Sequence, residues 1–266
     1  MAKENPLASN LTLEQQKNLF GNAYLNMLWH CPTDQRFPYW VHLPDCYYDE
    51  KDPHYKLLVI IHGTGCAVED YVRHAKELAD RDHVAVLAPL FPGGLIQRDD
   101  FNSYKLLSCD GVRYDQILLD MIDDMAKRYP GVETDKFFLF GHSGGGQFVN
   151  RFLFAHPEKL RACAIGAPGR PTFLNPDEDY FWGTRDFKNY FGHDVDLAAV
   201  QKVPVLVIVG ENDTKFIGDS PYGDNRVARM KSLQKNLQDH GVHTELTILP
   251  GFAHEGGEKE RVQAAQ

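Results

Sequence analysis

Two kinds of hydrophobic pattern take turns along this chain: short unbroken apolar runs, and longer stretches with apolar residues at three- and four-residue spacing. Leu57 to Ile61 is fully apolar and is stopped by His62 and Gly63, as expected of a strand buried on both faces of a parallel sheet. Val68 to Asp80 then sets Val68, Tyr71, Val72, Ala75, Leu78 and Ala79 on one helical face. "HVAVLAPL" reads as the next strand. Val112 to Tyr129 reads as a helix with Ile117, Leu118, Met121, Ile122 and Met125 on its inner stripe, ended by Pro130 and Gly131. Phe137 to Phe140 is a short buried strand, and Gln147 to Ala155 returns to helical spacing through Phe148, Phe152 and Ala155. "RACAIGAP" and "VPVLVIVG" follow as strands, then a helix from about Asn225 to His240 closed by Gly241, then a last strand, "HTELTILP". Before all of these lie a polar leader and strand-like aromatic segments around Phe37 to Leu43, where Pro38 and Pro44 suggest edge positions.

Strands that alternate with helices require crossover connections. The expected fold class is therefore α/β, with a mostly parallel central sheet, helices on both faces and ligand sites at the carboxyl ends of the strands. One domain spanning residues 1–266 is the expectation, since this length is usual for an α/β domain. One interval, Gly169 to Lys202, breaks the rhythm. It carries Phe173, Tyr180, Phe181, Trp182, Phe187, Tyr190 and Phe191 between two strands. A connection that long inside a compact domain is usually functional or has structure of its own, so 169–202 reads as a small lid insertion.

Composition narrows the partners. A net charge of -9 disfavours nucleic acid and anionic membrane surfaces. The start, with Lys3 and Glu4, has no apolar core of signal-peptide length, and no run of apolar residues is long enough to span a bilayer. A cytoplasmic location and a small-molecule substrate are the expectations, and a homo-oligomer stays open. Five cysteines, Cys31, Cys46, Cys66, Cys109 and Cys163, are an odd number without C-x-x-C spacing, so no disulfide framework or zinc site is suggested.

The candidate chemistry lies in "FFLFGHSGGGQFVNRFLF", Phe137 to Phe154, where glycines crowd around Ser143. Each Gly costs roughly 0.5–1 kcal/mol against Ala inside a regular element, so the cluster needs a steric reason. A serine on a sharp strand-to-helix turn supplies it, because only small side chains fit two positions before and two after. Gly141 and Gly145 stand there, which is the G-x-S-x-G nucleophile elbow. A phosphate-cradling loop is the alternative. It would need the P-loop lysine, or glycines where His142 and Ser143 stand.

A serine hydroxyl needs an adjacent base, usually a histidine oriented by a carboxylate. Asp213 follows the strand in "VLVIVGENDT", and His254 follows the last strand in "LTILPGFAHEGG". The chain resembles the α/β-hydrolase superfamily over nearly its whole length, through "HGTG", "GHSGG", "GENDT" and "GFAHE" in that order. The resemblance implies Ser143 as nucleophile, Asp213 as acid, His254 as base, and the backbone N–H groups of Thr64 and Gly144 as the oxyanion hole. Glu211, Asp219 and Asp224 are the competing acids. His62 and His142 flank the site and are read as packing or local hydrogen-bonding residues.

The implied function is a serine hydrolase that cleaves a carboxylic ester, lactone or thioester of a small to medium hydrophobic substrate through an acyl-enzyme, with no metal or organic cofactor. Trp182 and Phe181 in the insertion are the candidate substrate-binding wall. The alternatives are an acyltransferase or thioesterase with the same triad, and a non-catalytic binding protein on the same fold.

Overall fold

The computed structural model describes residues 12–49 and 54–254. Its central sheet has the strand order β1-β2-β4-β3-β7-β8-β9-β10. These strands are β1 (Asn26–His30), β2 (Pro38–His42), β3 (Tyr55–Ile61), β4 (Val84–Pro89), β7 (Val132–His142), β8 (Leu160–Gly166), β9 (Val205–Gly210) and β10 (Thr244–Leu249). From β4 across to β10 every pairing is parallel, while β1 and β2 pair antiparallel. A separate two-stranded ribbon joins β5 (Ser108–Cys109) and β6 (Val112–Arg113).

Helices cover both faces, as the alternating pattern requires. On one side α2 (Val68–Asp82) packs Tyr71, Ala75, Leu78 and Ala79 against Ile60, Val86, Phe140, Ala164 and Ile208. On the other side α3 (Tyr114–Arg128), α4 (Gly144–Ala155) and α7 (Arg226–Asp239) enclose the larger core, with Leu118, Met121, Phe148, Phe152, Leu233 and Leu237 buried in it.

The N-terminal region departs from the sequence expectation. The polar leader contains α1 (Leu13–Phe20), started by a capping box in which Gln15 N–H donates to Thr12 Oγ1 at 3.2 Å and Thr12 N–H donates to Gln15 Oε1 at 2.9 Å. It also contains β1, and β1 takes the sheet edge that Pro38 and Pro44 had suggested for the segment after it. β2 lies inside, between β1 and β4. Pro38 is tolerated because it is the first residue of its strand, where one missing N–H costs least.

Residues 169–202 hold two short helices, α5 (Phe187–Phe191) and α6 (Leu197–Val200), and several of their rings belong to the main core. Phe173 and Phe187 are fully buried and Phe191 nearly so, while Tyr190 remains exposed.

What positions the site is register. Ile61 pairs with Gly141, His142 with Gly166, Gly166 with Ile208, and Gly210 with Leu249. The loops that leave β3, β7, β8, β9 and β10 therefore emerge side by side along one edge of the sheet.

Candidate active site

Ser143 occupies the turn between β7 and α4 with φ 57° and ψ -111°, a backbone region that non-glycine residues seldom adopt. Such strain persists where the surroundings over-determine it, and here the flanking glycines show how. A Cβ on Gly141 would stand 2.5 Å from the backbone of Gly145, and one on Gly145 would strike the carbonyl oxygen of Ile61. Strand, turn and helix approach so closely that the serine is pushed out of the fold.

His254 lies in the loop after β10, and that loop is sewn to the one after β9. Glu211 N–H donates to Leu249 O at 2.9 Å, Asn212 N–H to Phe252 O at 2.8 Å, and Gly251 N–H to the Glu211 carboxylate at 3.0 Å. These bonds bring residues distant in sequence into contact. His254 Nε2 is 2.9 Å from Ser143 Oγ, and its Nδ1 is 2.7 Å from Asp213 Oδ2. With the ring proton on Nδ1, His254 donates to Asp213 and accepts from the serine hydroxyl. Asp213 is 1% exposed, and its other oxygen faces Arg226 Nη1 at 3.4 Å.

The other acids named from sequence stand elsewhere in role. Glu211 holds the Gly251 N–H, the Asp224 carboxylate accepts from Asn225 Nδ2, and Asp219 is exposed.

Thr64 and Gly144 are brought together. A Cβ on Gly144 would lie 3.1 Å from Thr64 N, so the two backbones face each other beside Ser143. His62 anchors this loop: its Nδ1 donates to Gly63 O at 2.6 Å and its Nε2 accepts from Phe91 N–H at 3.0 Å. Burial pushes the His62 pKa down to about 4, which keeps the ring neutral in that tautomer. His142 packs its ring against His254, with centroids 4.9 Å apart.

A cleft of about 430 Å³ opens beside these groups, and Lys105, Gln147, Arg151, Arg170, Phe181 and Arg226 line it. Of the two residues named from sequence as a substrate wall, Phe181 lines this cleft. Trp182 does not. It stacks on Tyr222 with centroids 6.1 Å apart and carries the Arg229 guanidinium 5.3 Å from its ring centre, so it packs the insertion against a later segment of the chain. Phe181 and Trp182 lie in a turn, and of the two only Phe181 lines the cleft. The cationic lining was missed from sequence because Lys105, Arg151, Arg170 and Arg226 come from four separate segments with no local motif.

An α/β sheet carrying a strained serine at the end of a central strand, with a histidine and a carboxylate supplied by later loops, defines the α/β-hydrolase class. The chain belongs to the dienelactone hydrolase family, whose profile matches residues 44–265. That makes it a hydrolase of the ester-cleaving kind. No curated protein matches it. Among solved structures, it is similar to poly(aspartic acid) hydrolase-1 from Sphingomonas sp. KT-1, at 20% identity and a TM-score of 0.73 over 90% of this chain and 96% of that one. It is likewise similar to the poly(3-hydroxybutyrate) depolymerase LpqC from Bordetella parapertussis, at 20% identity and a TM-score of 0.70 over 96% and 93%. An S-formylglutathione hydrolase from Agrobacterium tumefaciens aligns at 14% identity and a TM-score of 0.60 over 97% of each chain. At these identities the likeness is one of fold. Among the described residues, no helix is long and apolar enough to cross a membrane.

Proposed function

We propose that this chain is a serine hydrolase that cleaves a carboxylic ester through an acyl-enzyme on Ser143. The observation that carries the reading is the unbroken relay from Ser143 Oγ through His254, at 2.9 Å and 2.7 Å, to a buried Asp213. His254 Nε2 takes the hydroxyl proton as Oγ forms its bond to the substrate carbonyl carbon. Asp213 holds the imidazole in the required tautomer and stabilises its charged form. The N–H groups of Thr64 and Gly144 receive the oxyanion, a contribution for which one lost donor typically costs about 10²–10³ in rate. The carbon–oxygen bond to the leaving group then breaks, and the alcohol departs with the proton held on His254. Water enters and gives its proton to the same nitrogen as its oxygen bonds to the acyl carbon; the bond to Oγ then breaks, Oγ takes the proton back from His254, and the acid leaves with Ser143 restored.

The test combines a fluorophosphonate label with a panel of p-nitrophenyl esters and thioesters. The wild-type chain is expected to be labelled at Ser143 and to turn over at least one ester. Ser143→Ala is expected to keep its melting temperature and lose both signals. Labelling or turnover of Ser143→Ala at the wild-type level would falsify the assignment.

A further inference from the structure

Tyr104 is buried beside the reacting groups and takes no part in the proton relay. It sits in a short 3₁₀ turn, Ser103–Leu106, with 4% of its surface exposed. That turn is pinned by two other segments. The Arg151 guanidinium of α4 donates to Lys105 O, and the Tyr180 hydroxyl of the 169–202 insertion donates to Leu106 O at 2.6 Å. The ring is held as well: Tyr104 stacks on Phe91 with centroids 5.7 Å apart, Phe91 stacks on Phe148 of α4 at 5.3 Å, and the His62 ring lies 4.9 Å from Tyr104.

The hydroxyl at the end of this ring reaches the loop after β3. Tyr104 Oη donates to His62 O at 3.2 Å, and burial pushes its pKa well above the ordinary phenol value, so the proton stays on it. A Cβ built on Gly144 would strike the same hydroxyl oxygen and would lie 3.1 Å from Thr64 N. The phenol oxygen, the Gly144 backbone and Thr64 N therefore converge on one point. The His62 carbonyl belongs to the peptide that leads into Gly63 and Thr64. Glycine resists backbone rotation least of all residues, and a turn of the His62–Gly63 peptide would swing the Thr64 N–H away from Gly144. The His62 ring restrains the next peptide, through Gly63 O and Phe91 N–H, and Tyr104 restrains the carbonyl before it. Filling the space between His62, Phe91 and Gly144 needs only a phenylalanine ring. The hydroxyl adds a directed bond to the loop, at the cost of desolvating a polar group.

We propose that Tyr104 is a positioning residue for the oxyanion hole: its hydroxyl, bound to His62 O, orients the loop so that Thr64 N–H and Gly144 N–H point at one oxygen while Ser143 attacks. The inference goes beyond the serine-hydrolase reading and rests on it. A misplaced donor weakens an interaction that exists only once negative charge has formed on the substrate oxygen, so the loss falls on kcat and spares KM.

The experiment compares wild type, Tyr104→Phe and Phe148→Leu on one p-nitrophenyl ester, with rates taken per site titrated to completion by a fluorophosphonate, so that misfolded chain does not enter. Tyr104→Phe keeps the ring stack and is expected to lower kcat about 10- to 100-fold, with KM changed by less than about threefold. Its affinity for an alkyl trifluoromethyl ketone, whose adduct on Ser143 places an anionic oxygen in the hole, is expected to fall by the same factor as kcat/KM. Phe148→Leu disturbs the stack and leaves the hydroxyl in place, so it should lower the melting temperature and keep kcat/KM within about threefold of wild type. Wild-type kcat and wild-type ketone affinity in Tyr104→Phe overturn this inference and leave the serine hydrolase standing. A loss of kcat in Phe148→Leu as large as in Tyr104→Phe overturns it too, since ring packing would then hold the loop. A wild-type chain that is neither labelled nor active on any ester sinks the underlying reading instead.

Discussion

Asp213 divides its carboxylate between two partners: Oδ2 meets His254 Nδ1 at 2.7 Å, and Oδ1 faces Arg226 Nη1 at 3.4 Å. The acid is buried, so both oxygens need partners, and the guanidinium on the far side supplies one while the imidazole supplies the other. Asp213→Asn should keep the shape of the site while favouring the wrong tautomer of His254. A loss of up to about 10⁴ in kcat is expected, with little change in KM. Steady-state kinetics of Asp213→Asn beside Asp224→Asn check this. An essential Asp224 and a dispensable Asp213 would mean that the acid lies elsewhere.

The glycines around Ser143 differ sharply in what they tolerate. Gly145→Ala drives a methyl into the Ile61 carbonyl, and the backbone on both sides is fixed by sheet and helix. A loss of about 3 kcal/mol or more, or failure to fold, is expected. Gly65→Ala, in the loop after β3, meets nothing within 4 Å and should leave the stability within about 0.5 kcal/mol of wild type. Urea melts of the two variants make the comparison.

Trp182 is expected to support the fold and not to select the substrate. Its ring lies between Tyr222 and Arg229, and its carbonyl accepts from Phe173 N–H at 2.8 Å. Trp182→Ala should cost about 2–4 kcal/mol and lower kcat/KM by the same factor for short and long acyl esters. A selective loss on long acyl chains, with an unchanged melting temperature, would restore Trp182 to the substrate wall.

His62 should make stability depend on pH. Its folded pKa is held down at about 4, mainly by burial, from an ordinary value of 6.5. Between these two values the unfolded chain binds the proton that the folded one refuses, so stability falls as pH drops from about 6.5 to about 4 and levels off below. The shift corresponds to about 3 kcal/mol at most. Melts of wild type and His62→Gln from pH 7 to pH 4 should show a shallower slope for the variant. Equal slopes would mean that His62 is already protonated or exposed.

The local elements were legible because each is written in consecutive residues. Leu57 to Ile61 could only be a buried strand, the stripe from Val68 to Ala79 appears in α2 as expected, and Gly141, Ser143 and Gly145 spell a turn whose sterics admit little else. Chain order then sufficed to nominate Asp213 and His254, since the ends of parallel strands gather on one edge. The short elements before Phe37 were not legible: α1 and β1 are too brief for periodicity to declare itself, and β1 exists by virtue of its pairing with β2.

Only the tertiary structure decided which residue of the 181–182 pair faces the cleft, and that Lys105, Arg151, Arg170 and Arg226 share one cavity. Sequence determines what a segment can become, because backbone sterics and hydrophobic period act over a few residues. Charge density around a cavity is a sum over segments that meet only after folding. That is why aromatic residues in one loop suggested an apolar substrate, while the cleft that assembles beside Ser143 is lined by four cations as well as by Phe181.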